Sequence, residues 1–367
     1  MRPRLTQVVD APASRPRLRS QIDLSDAQWR DFRGNLPLLT AGAVLFLVLR
    51  WAGPWQSPRA RLRFYAFTSF LLLGAAAGAY AVFALALVLG NYWLGRWAGR
   101  SPAAPWLTWG YTAAVLLASD WYHAQWTFTE LLGPSFAPLD AWRGIYGWHR
   151  GMNLVALRMI SFNMDRYWSL CAAAAPSPKD AAGTPKGSGK SSAADSPAAA
   201  GPAEREYEAR VRAPLPPAYY DLVSYIAYVF YVPLHLAGPI LPANAFLSQV
   251  HDPPPRPRAK TLLWLLARLV FALALMEFML HYMYTYAIAT SGAYRGHFGP
   301  LQIGLLGYFS LHTIWLKFLI IWRFFRLWAL ADNIETVENM NRCMSNNYSL
   351  QVRPGPPRTT RKRQSWC

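Results

Sequence analysis

Blocks of continuous apolar residues alternate with shorter polar stretches along this chain. The apolar blocks lie at 36–51, 64–94, 106–132, 145–170, 219–242, 261–290 and 301–331. Most of them are apolar all round rather than on one helix face, which is typical of helices surrounded by lipid. The pattern predicts an all-α fold, a polytopic membrane helical bundle of about six or seven membrane segments.

The block at 145–170 carries more polar residues than a lipid-facing helix tolerates. His149, Arg150 and Asn153 lie close together near its start. The block predicts a helix that either lies in the membrane interface or is buried within the bundle. The histidine and arginine would meet a phosphate of a lipid or of coenzyme A, or would anchor the segment at the lipid headgroups. Both interpretations stay open.

The block at 219–242 is interrupted by residues that break helices. These are Pro233, Gly238, Pro239 and Pro242. Irregular backbone at membrane depth is tolerated only inside protein or beside a water-filled cavity. We therefore expect a broken, re-entrant segment. His235 and Asn244 flank the break, and they would either line a cavity or cap the broken helix ends.

Polar stretches divide the chain into regions. Residues 1–35 form a polar, basic N-terminal segment, and 36–171 hold the first membrane helices, with the interfacial helix among them. Residues 172–217 are rich in Ala, Pro, Gly and Ser, so we expect a disordered insertion loop there. Residues 218–350 hold the second set of membrane helices, and 351–367 form a basic, Pro-rich tail.

Composition supports a membrane protein and argues against nucleic acid as a partner. Only 15% of the residues are charged and 53% are hydrophobic, whereas a soluble domain carries about 25% charged residues. The net charge of +18 comes from Lys and Arg placed between the apolar blocks and at both ends, which suits anionic lipid surfaces. No helix-turn-helix, zinc-finger spacing or RNA-binding signature is present, so we expect membrane lipids and no nucleic acid as partners.

Two pairs of ionisable residues lie inside apolar blocks. Asp120 and His123 are three residues apart, and Glu277 and His281 are four apart, so each pair shares a helix face. Each such group costs about 3 kcal/mol to insert into a membrane. The pair of Asp120 and His123 would act as a proton relay or as a polar lid on a tunnel, or it would tie two helices together. The pair of Glu277 and His281 would act as a base oriented by a carboxylate, or it would belong to a buried polar network. A Glu/His pair without a third ligand predicts no metal site.

Several stretches resemble one membrane enzyme family. They are DLSDAQWRDFRGNLPLL at 23–39, GWHRGMNLVALRMISFNMDR at 147–166 and YIAYVFYVPLHLAGPILPANAFLSQ at 225–249, followed by 325–350. Together they resemble the membrane-bound O-acyltransferase (MBOAT) superfamily, in the branch of Hedgehog acyltransferase and the glycerol-uptake proteins (Gup). The stretches occur in the family's order and cover most of the chain.

The resemblance implies an integral, multi-pass acyltransferase of the endoplasmic reticulum. Such enzymes transfer a long acyl chain from acyl-CoA to a lipid, in this branch the lipid of glycosylphosphatidylinositol (GPI) anchors, or to a protein group. Their helices surround a tunnel in which thioester and acceptor meet. The resemblance implies acyl-CoA as co-substrate and gives no firm cofactor, acceptor or oligomeric state.

The resemblance also implies where a catalytic histidine is expected. In the family this histidine follows a segment that matches 346–349 of this chain. Residues 351–367 match nothing in the family, and no histidine follows His312. We therefore assign no catalytic residue and expect this chain alone to be inactive, since the catalytic half is missing. Cys343 would be a reactive thiol, a thiolate ligand of haem iron or simply a buried residue. The substrate-tunnel candidates are His149, Arg150, Asn153, His235, Asn244, Glu277, His281, Cys343 and Asn346.

Two other functions are compatible with the same residues. The first is a membrane transporter of glycerol or one coupled to protons, in which the four intramembrane groups Asp120, His123, Glu277 and His281 form a path. The second is a noncatalytic membrane scaffold. Assays of acyl transfer, of solute uptake into vesicles and of partner binding without acyl transfer would distinguish the enzyme, the transporter and the scaffold.

Overall fold

The computed structural model is a bundle of helices, and it describes residues 22–121, 127–142, 144–145, 151–174, 202–292 and 294–338, without the side chains of 120–121 and 202–205. The described residues contain no strand. The helices are α1 (Ala27–Ala52), α2 (Pro58–Ala77), α3 (Ala81–Ala98), α4 (Ala104–Trp121), α5 (Phe128–Leu132), α6 (Ala137–Asp140), α7 (Met152–Ala174), α8 (Pro202–Arg212), α9 (Leu222–Val229), α10 (Val232–His235), α11 (Ala243–His251), α12 (Ala259–Tyr282), α13 (Thr285–Ser291) and α14 (Pro300–Ala331).

Four helical segments of the described chain are long and apolar enough to cross a membrane. They are α1, the run of α2 and α3 from Pro58 to Ala98, α12 and α14. Each residue of a helix adds about 1.5 Å, so roughly 20 residues cross the hydrocarbon core. The prediction of a multi-pass, all-α membrane protein is therefore confirmed.

Most of the apolar surface of α1 and α12 lies on the outside of the bundle. Within the most apolar window of each helix only 17% of the residues are buried. Leu45 and Val48 of α1 and Phe271 and Phe278 of α12 are more than half exposed. Large apolar side chains on the outside of a spanning helix are favourable in lipid, whereas soluble proteins rarely expose large apolar patches to water.

The first helix differs from the one expected at the N-terminus. We expected a polar segment at 1–35 before the first membrane helix, but α1 already begins at Ala27 and continues through Pro37 without a break. Asp26 caps this helix by accepting a hydrogen bond from the amide of Trp29 at 3.0 Å. The same carboxyl group lies 2.6 Å from Lys317 of α14. The cap and the ion pair fix the start of α1 against the bundle.

Helix α7 settles the question of the mixed block at 145–170. Val155, Ala156, Met159 and Phe162 are at most 1% exposed, and α7 packs against α3, α4, α9 and α11. The helix is therefore buried within the bundle, and the alternative of an interfacial helix is wrong. Its buried polar residues Arg158, Asn163 and Arg166 find partners on neighbouring segments.

The stretch predicted as a disordered loop contains a helix. Helix α8 occupies Pro202–Arg212, and α7 extends to Ala174, so the prediction for 172–217 is wrong at both ends. Its middle, 175–201, lies outside the described residues. Arg210 contacts Glu206 at 3.1 Å and Arg212 contacts Glu208 at 3.4 Å, both with i,i+4 spacing. Such pairs stabilise a short helix.

Close packing of α3 on α7 depends on Gly95. A Cβ atom on Gly95 would lie 2.4 Å from Oδ1 of Asn163. The Asn163 amide donates to the backbone oxygen of Asn91 at 3.0 Å, and Arg166 donates to the backbone oxygen of Gly95 at 2.7 Å. An added methyl group would push this hydrogen-bonded contact apart.

Gly95→Ala is therefore expected to lower the free energy of unfolding by about 2 kcal/mol, because overpacking a tight contact costs about 1–3 kcal/mol. Thermal unfolding in a mild detergent measures this. The matched control is Gly74→Ala on α2, since nothing lies within 4 Å of a Cβ there. That variant should be neutral or slightly stabilising. Equal unfolding temperatures for the two variants would show that the contact at Gly95 is not tight.

Candidate functional site

The segment 219–251, called the broken segment below, lies in the interior of the bundle. It contains the short helices α9, α10 and α11 separated by irregular backbone, so the predicted interruption is confirmed. Tyr225, Ala227 and Phe246 are fully buried within it. Gly238 adopts a φ of +119° between α10 and α11, a conformation that residues with a Cβ rarely adopt. Apolar composition here reflects burial in protein, not contact with lipid.

Arg158 of α7 stabilises the first interruption of the broken segment, which lies between α9 and α10. Its Nη1 donates to the backbone oxygen of Val229 at 2.9 Å, and its Nη2 donates to the backbone oxygen of Leu234. These carbonyl groups lie where α9 and α10 end, so no helix supplies them with donors. Arg158 is 4% exposed. One buried guanidinium group thus satisfies irregular backbone at both sides of a break.

The next turns of α7 stabilise the second interruption, which lies between α10 and α11, at the start of α11. The Oγ of Ser161 accepts a hydrogen bond from the amide of Ala243 at 3.0 Å. The Oδ2 of Asp165 accepts one from the amide of Asn244 at 3.0 Å. Both amides belong to the first turn of α11, which has no side-chain cap of its own. Arg158, Ser161 and Asp165 occupy one face of α7, because their spacing matches the helical period.

The side chain of Asn244 bonds to segments that neighbour α11 and caps neither α10 nor α11. Its side-chain oxygen accepts a hydrogen bond from the hydroxyl of Tyr220, and its amide donates to the backbone oxygen of Val211 at 3.3 Å. It is 4% exposed. These contacts position α11 against α8.

His235 is the candidate whose side chain keeps a ring nitrogen without a hydrogen-bond partner. It ends α10, is 7% exposed, and its Nδ1 is buried with no hydrogen-bond partner in the described part of the chain. Its ring centroid lies 5.5 Å from that of Phe230. A Cβ on Gly151 would lie 3.7 Å from its Nε2, so the imidazole faces the start of α7. A buried ring nitrogen without a hydrogen-bond partner is costly, so His235 is a candidate contact for a ligand.

The other candidates near the start of α7 are only partly placed. Asn153 is exposed in the first turn of α7. His149 and Arg150 immediately precede this helix but lie outside the described residues, as do Cys343 and Asn346. The structure thus brings His235 next to Gly151, the first described residue before α7.

Glu277 and His281 do not form the pair that their spacing suggested. The Glu277 carboxylate contacts Arg33 of α1, with Nε at 2.6 Å and Nη2 at 3.1 Å. The His281 Nδ1 contacts the backbone oxygen of Glu277 at 2.7 Å. The interpretation as a base oriented by its carboxylate is therefore wrong for the described structure, and Glu277 instead ties α12 to α1. The Asp120 side chain and His123 lie outside the described residues.

Sequence reasoning missed a buried polar group that we call the Arg50–Asp332 cluster, made of Arg50, Tyr65, Tyr231 and Asp332. Arg50 Nε lies 3.3 Å from Asp332 Oδ1 and donates to the Tyr65 hydroxyl at 3.5 Å. The Tyr231 hydroxyl donates to Asp332 Oδ2. All are at most 1% exposed. The cluster joins the broken segment to α1, α2 and the end of α14.

Within the described residues, no group of three His, Cys, Asp or Glu side chains is placed to hold a metal ion. The bundle interior thus contains irregular backbone whose polar groups bond to side chains of α7. The imidazole of His235, whose Nδ1 has no partner among the described residues, lies beside this backbone.

Comparisons with known proteins agree with this architecture. The sequence profile of the membrane-bound O-acyltransferase family matches residues 116–352. The chain is 35% identical over 341 residues to the membrane-bound O-acyltransferase GUP1 of Candida tropicalis, covering 90% of this chain and 54% of that protein. It is 34% identical over 335 residues to GUP1 of Saccharomyces cerevisiae, covering 90% of this chain and 56% of that protein. The chain thus spans about half the length of the curated relatives it matches, and it belongs to the membrane-bound O-acyltransferase family.

Proposed function

We propose that this protein takes part in O-acyl transfer within the membrane of the endoplasmic reticulum. The donor is a long-chain acyl-CoA and the acceptor is a lipid hydroxyl, of the kind found in the lipid of a GPI anchor, with a protein group as the other acceptor. The observation that carries the proposal is the broken segment, which lies buried among the spanning helices and ends α10 on the unpaired His235. Family membership supports the reaction class.

In this proposal the described helices form the shell of the acyl tunnel. The first half of the broken segment and the start of α7 lie next to the thioester, where His235 offers one hydrogen bond. The protein is proposed to bind acyl-CoA within this shell.

A photoreactive palmitoyl-CoA analogue tests binding. With the chain reconstituted in phosphatidylcholine vesicles, adducts are expected on α7 and the broken segment, and excess palmitoyl-CoA should remove them while palmitate should not. Adducts spread over the outer faces of α1 and α12, unaffected by palmitoyl-CoA, would contradict the proposal.

A further inference from the structure

Three arginines converge on one carboxylate at the side of the bundle where α12 and α14 pack together. Arg268 of α12 lies 3.7 Å from Oε1 of Glu338, and Arg323 of α14 also lies 3.7 Å from Oε1. Arg326, one turn further along α14, lies 3.9 Å from Oε2. We call these four residues the arginine cluster. It lies apart from His235 and from the Arg50–Asp332 cluster.

The guanidinium groups surround Glu338 without closing on it. All of these separations exceed the 2.7–2.9 Å or so of a charge-assisted hydrogen bond. Within the described residues, Arg268 and Arg323 make no hydrogen bond, and the Nε of Arg323 is buried without a partner. The side chain of Arg323 is only 14% exposed. Leaving buried donors unpaired is costly, so the arrangement fits a ligand that carries several oxygen acceptors.

Charge favours an anionic ligand. The three guanidinium groups face Glu338, and Glu335 is the next acidic group near Arg326. The backbone amide of Glu335 is held by the side-chain oxygen of Gln249 at 2.6 Å. Three positive charges against two carboxylates leave the site positive. Planar guanidinium groups match the geometry of a phosphate group better than that of any neutral acceptor.

The part of α12 that carries Arg268 also carries an exposed Trp and further basic residues. Trp264 lies one turn before Arg268 on α12 and is 64% exposed, and Arg258 and Lys260 flank the start of the same helix. Exposed Trp and basic side chains near a helix end mark the boundary between hydrocarbon and headgroups. A phosphate group bound here would come from a membrane phospholipid or from coenzyme A.

We propose that Arg268, Arg323 and Arg326 form a binding site for a phosphate ester, and that Glu338 is the internal counter-ion which the phosphate displaces. If the phosphate belongs to acyl-CoA, the site deepens the proposed function and depends on it. If it belongs to a phospholipid headgroup, the site stands independently of acyl transfer. No covalent step is involved, since the site holds charge by hydrogen bonds and electrostatic attraction.

Titration of the full chain in a neutral detergent tests this, with coenzyme A and dioctanoyl phosphatidic acid as separate probes and the unfolding temperature and calorimetric heat as readouts. Arg323→Gln is expected to weaken binding about tenfold or more, since a hydrogen bond to a charged group contributes about 1.5–3 kcal/mol. Arg268→Gln, at the more exposed arginine, should act in the same direction. Glu338→Gln should strengthen binding about twofold to fivefold.

The opposite signs separate a phosphate site from an ordinary ion-pair network, in which Arg323→Gln and Glu338→Gln would both only loosen the structure. Arg212→Gln, at an exposed pair with Glu208 on α8, is the matched control and should bind like the parent. Binding of coenzyme A alone, of the phospholipid alone or of both supports the site and identifies its source. The proposal is overturned if neither probe binds at millimolar concentration, or if the parent and Arg323→Gln bind a probe with equal affinity. Neither result depends on whether acyl transfer occurs.

Discussion

Arg158→Met is expected to lower the free energy of unfolding by about 3 kcal/mol or more. The variant keeps the apolar stem of the side chain but leaves the buried backbone oxygens of Val229 and Leu234 without their donors. Each buried acceptor left unsatisfied costs about 1–3 kcal/mol. Because both carbonyl groups belong to interrupted helices, the backbone has no second donor to offer. Denaturation in a mild detergent, followed by intrinsic Trp fluorescence, measures the change.

The matched control for this experiment is Arg212→Met on α8. Arg212 is 66% exposed and contacts Glu208 at 3.4 Å, and an exposed pair of this kind contributes about 0.5 kcal/mol or less. An Arg158 variant that unfolds at the same denaturant concentration as the Arg212 variant would show that α7 does not support the broken segment. Backbone hydrogen exchange should rise selectively around Val229 and Leu234 if the contact is as described.

The Arg50–Asp332 cluster gives the second large effect. Asp332→Leu is expected to destabilise the protein by about 3–5 kcal/mol, because it leaves the buried Arg50 charge without its partner. The side chains of Arg50 and Asp332 are 2% and 0% exposed. The double variant Arg50→Met with Asp332→Leu should recover most of that loss, since a well-packed apolar pair of similar volume is often as stable as a buried ion pair.

A double-mutant cycle measures this coupling directly. Tyr231→Phe provides a milder comparison, since it removes one hydroxyl donor from Asp332 and should cost about 1 kcal/mol. Additive losses in the Arg50 and Asp332 variants would contradict the cluster. Such a result would mean that the two residues act independently and that the end of α14 is not tied to the broken segment.

The sequence predicted local features of the fold well, because their causes are local. Pro233 lies in the first turn of α10, where its missing amide donor is tolerated, and Gly238 adopts a φ of +119° without strain. Length and apolarity in turn predicted the spanning helices. Apolarity could not distinguish the lipid-facing α12 from the buried broken segment, because lipid and protein interior are equally free of water.

Long-range partners could not be predicted from spacing. Glu277 and His281 share a helix face as expected, but the Glu277 carboxylate contacts Arg33, 244 residues away in the sequence. Arg158 likewise donates to Val229 across 71 residues. Which of several possible charges a buried group meets depends on how the helices pack, and a single sequence does not contain that information. Helix α8 was within reach, because the i,i+4 pairs that stabilise it are visible in the sequence.

The central claim is that the broken segment lies inside a shell of membrane-spanning helices. A diazirine reagent dissolved in the lipid phase of reconstituted vesicles tests it most directly, with peptide mapping to locate the adducts. Because the outer faces of α1 and α12 are exposed and residues 224–235 are nearly all buried, adducts are expected on both helices and only at background level on 224–235. Adducts on 224–235 at the density found on α12 would place the broken segment against lipid and contradict the claim.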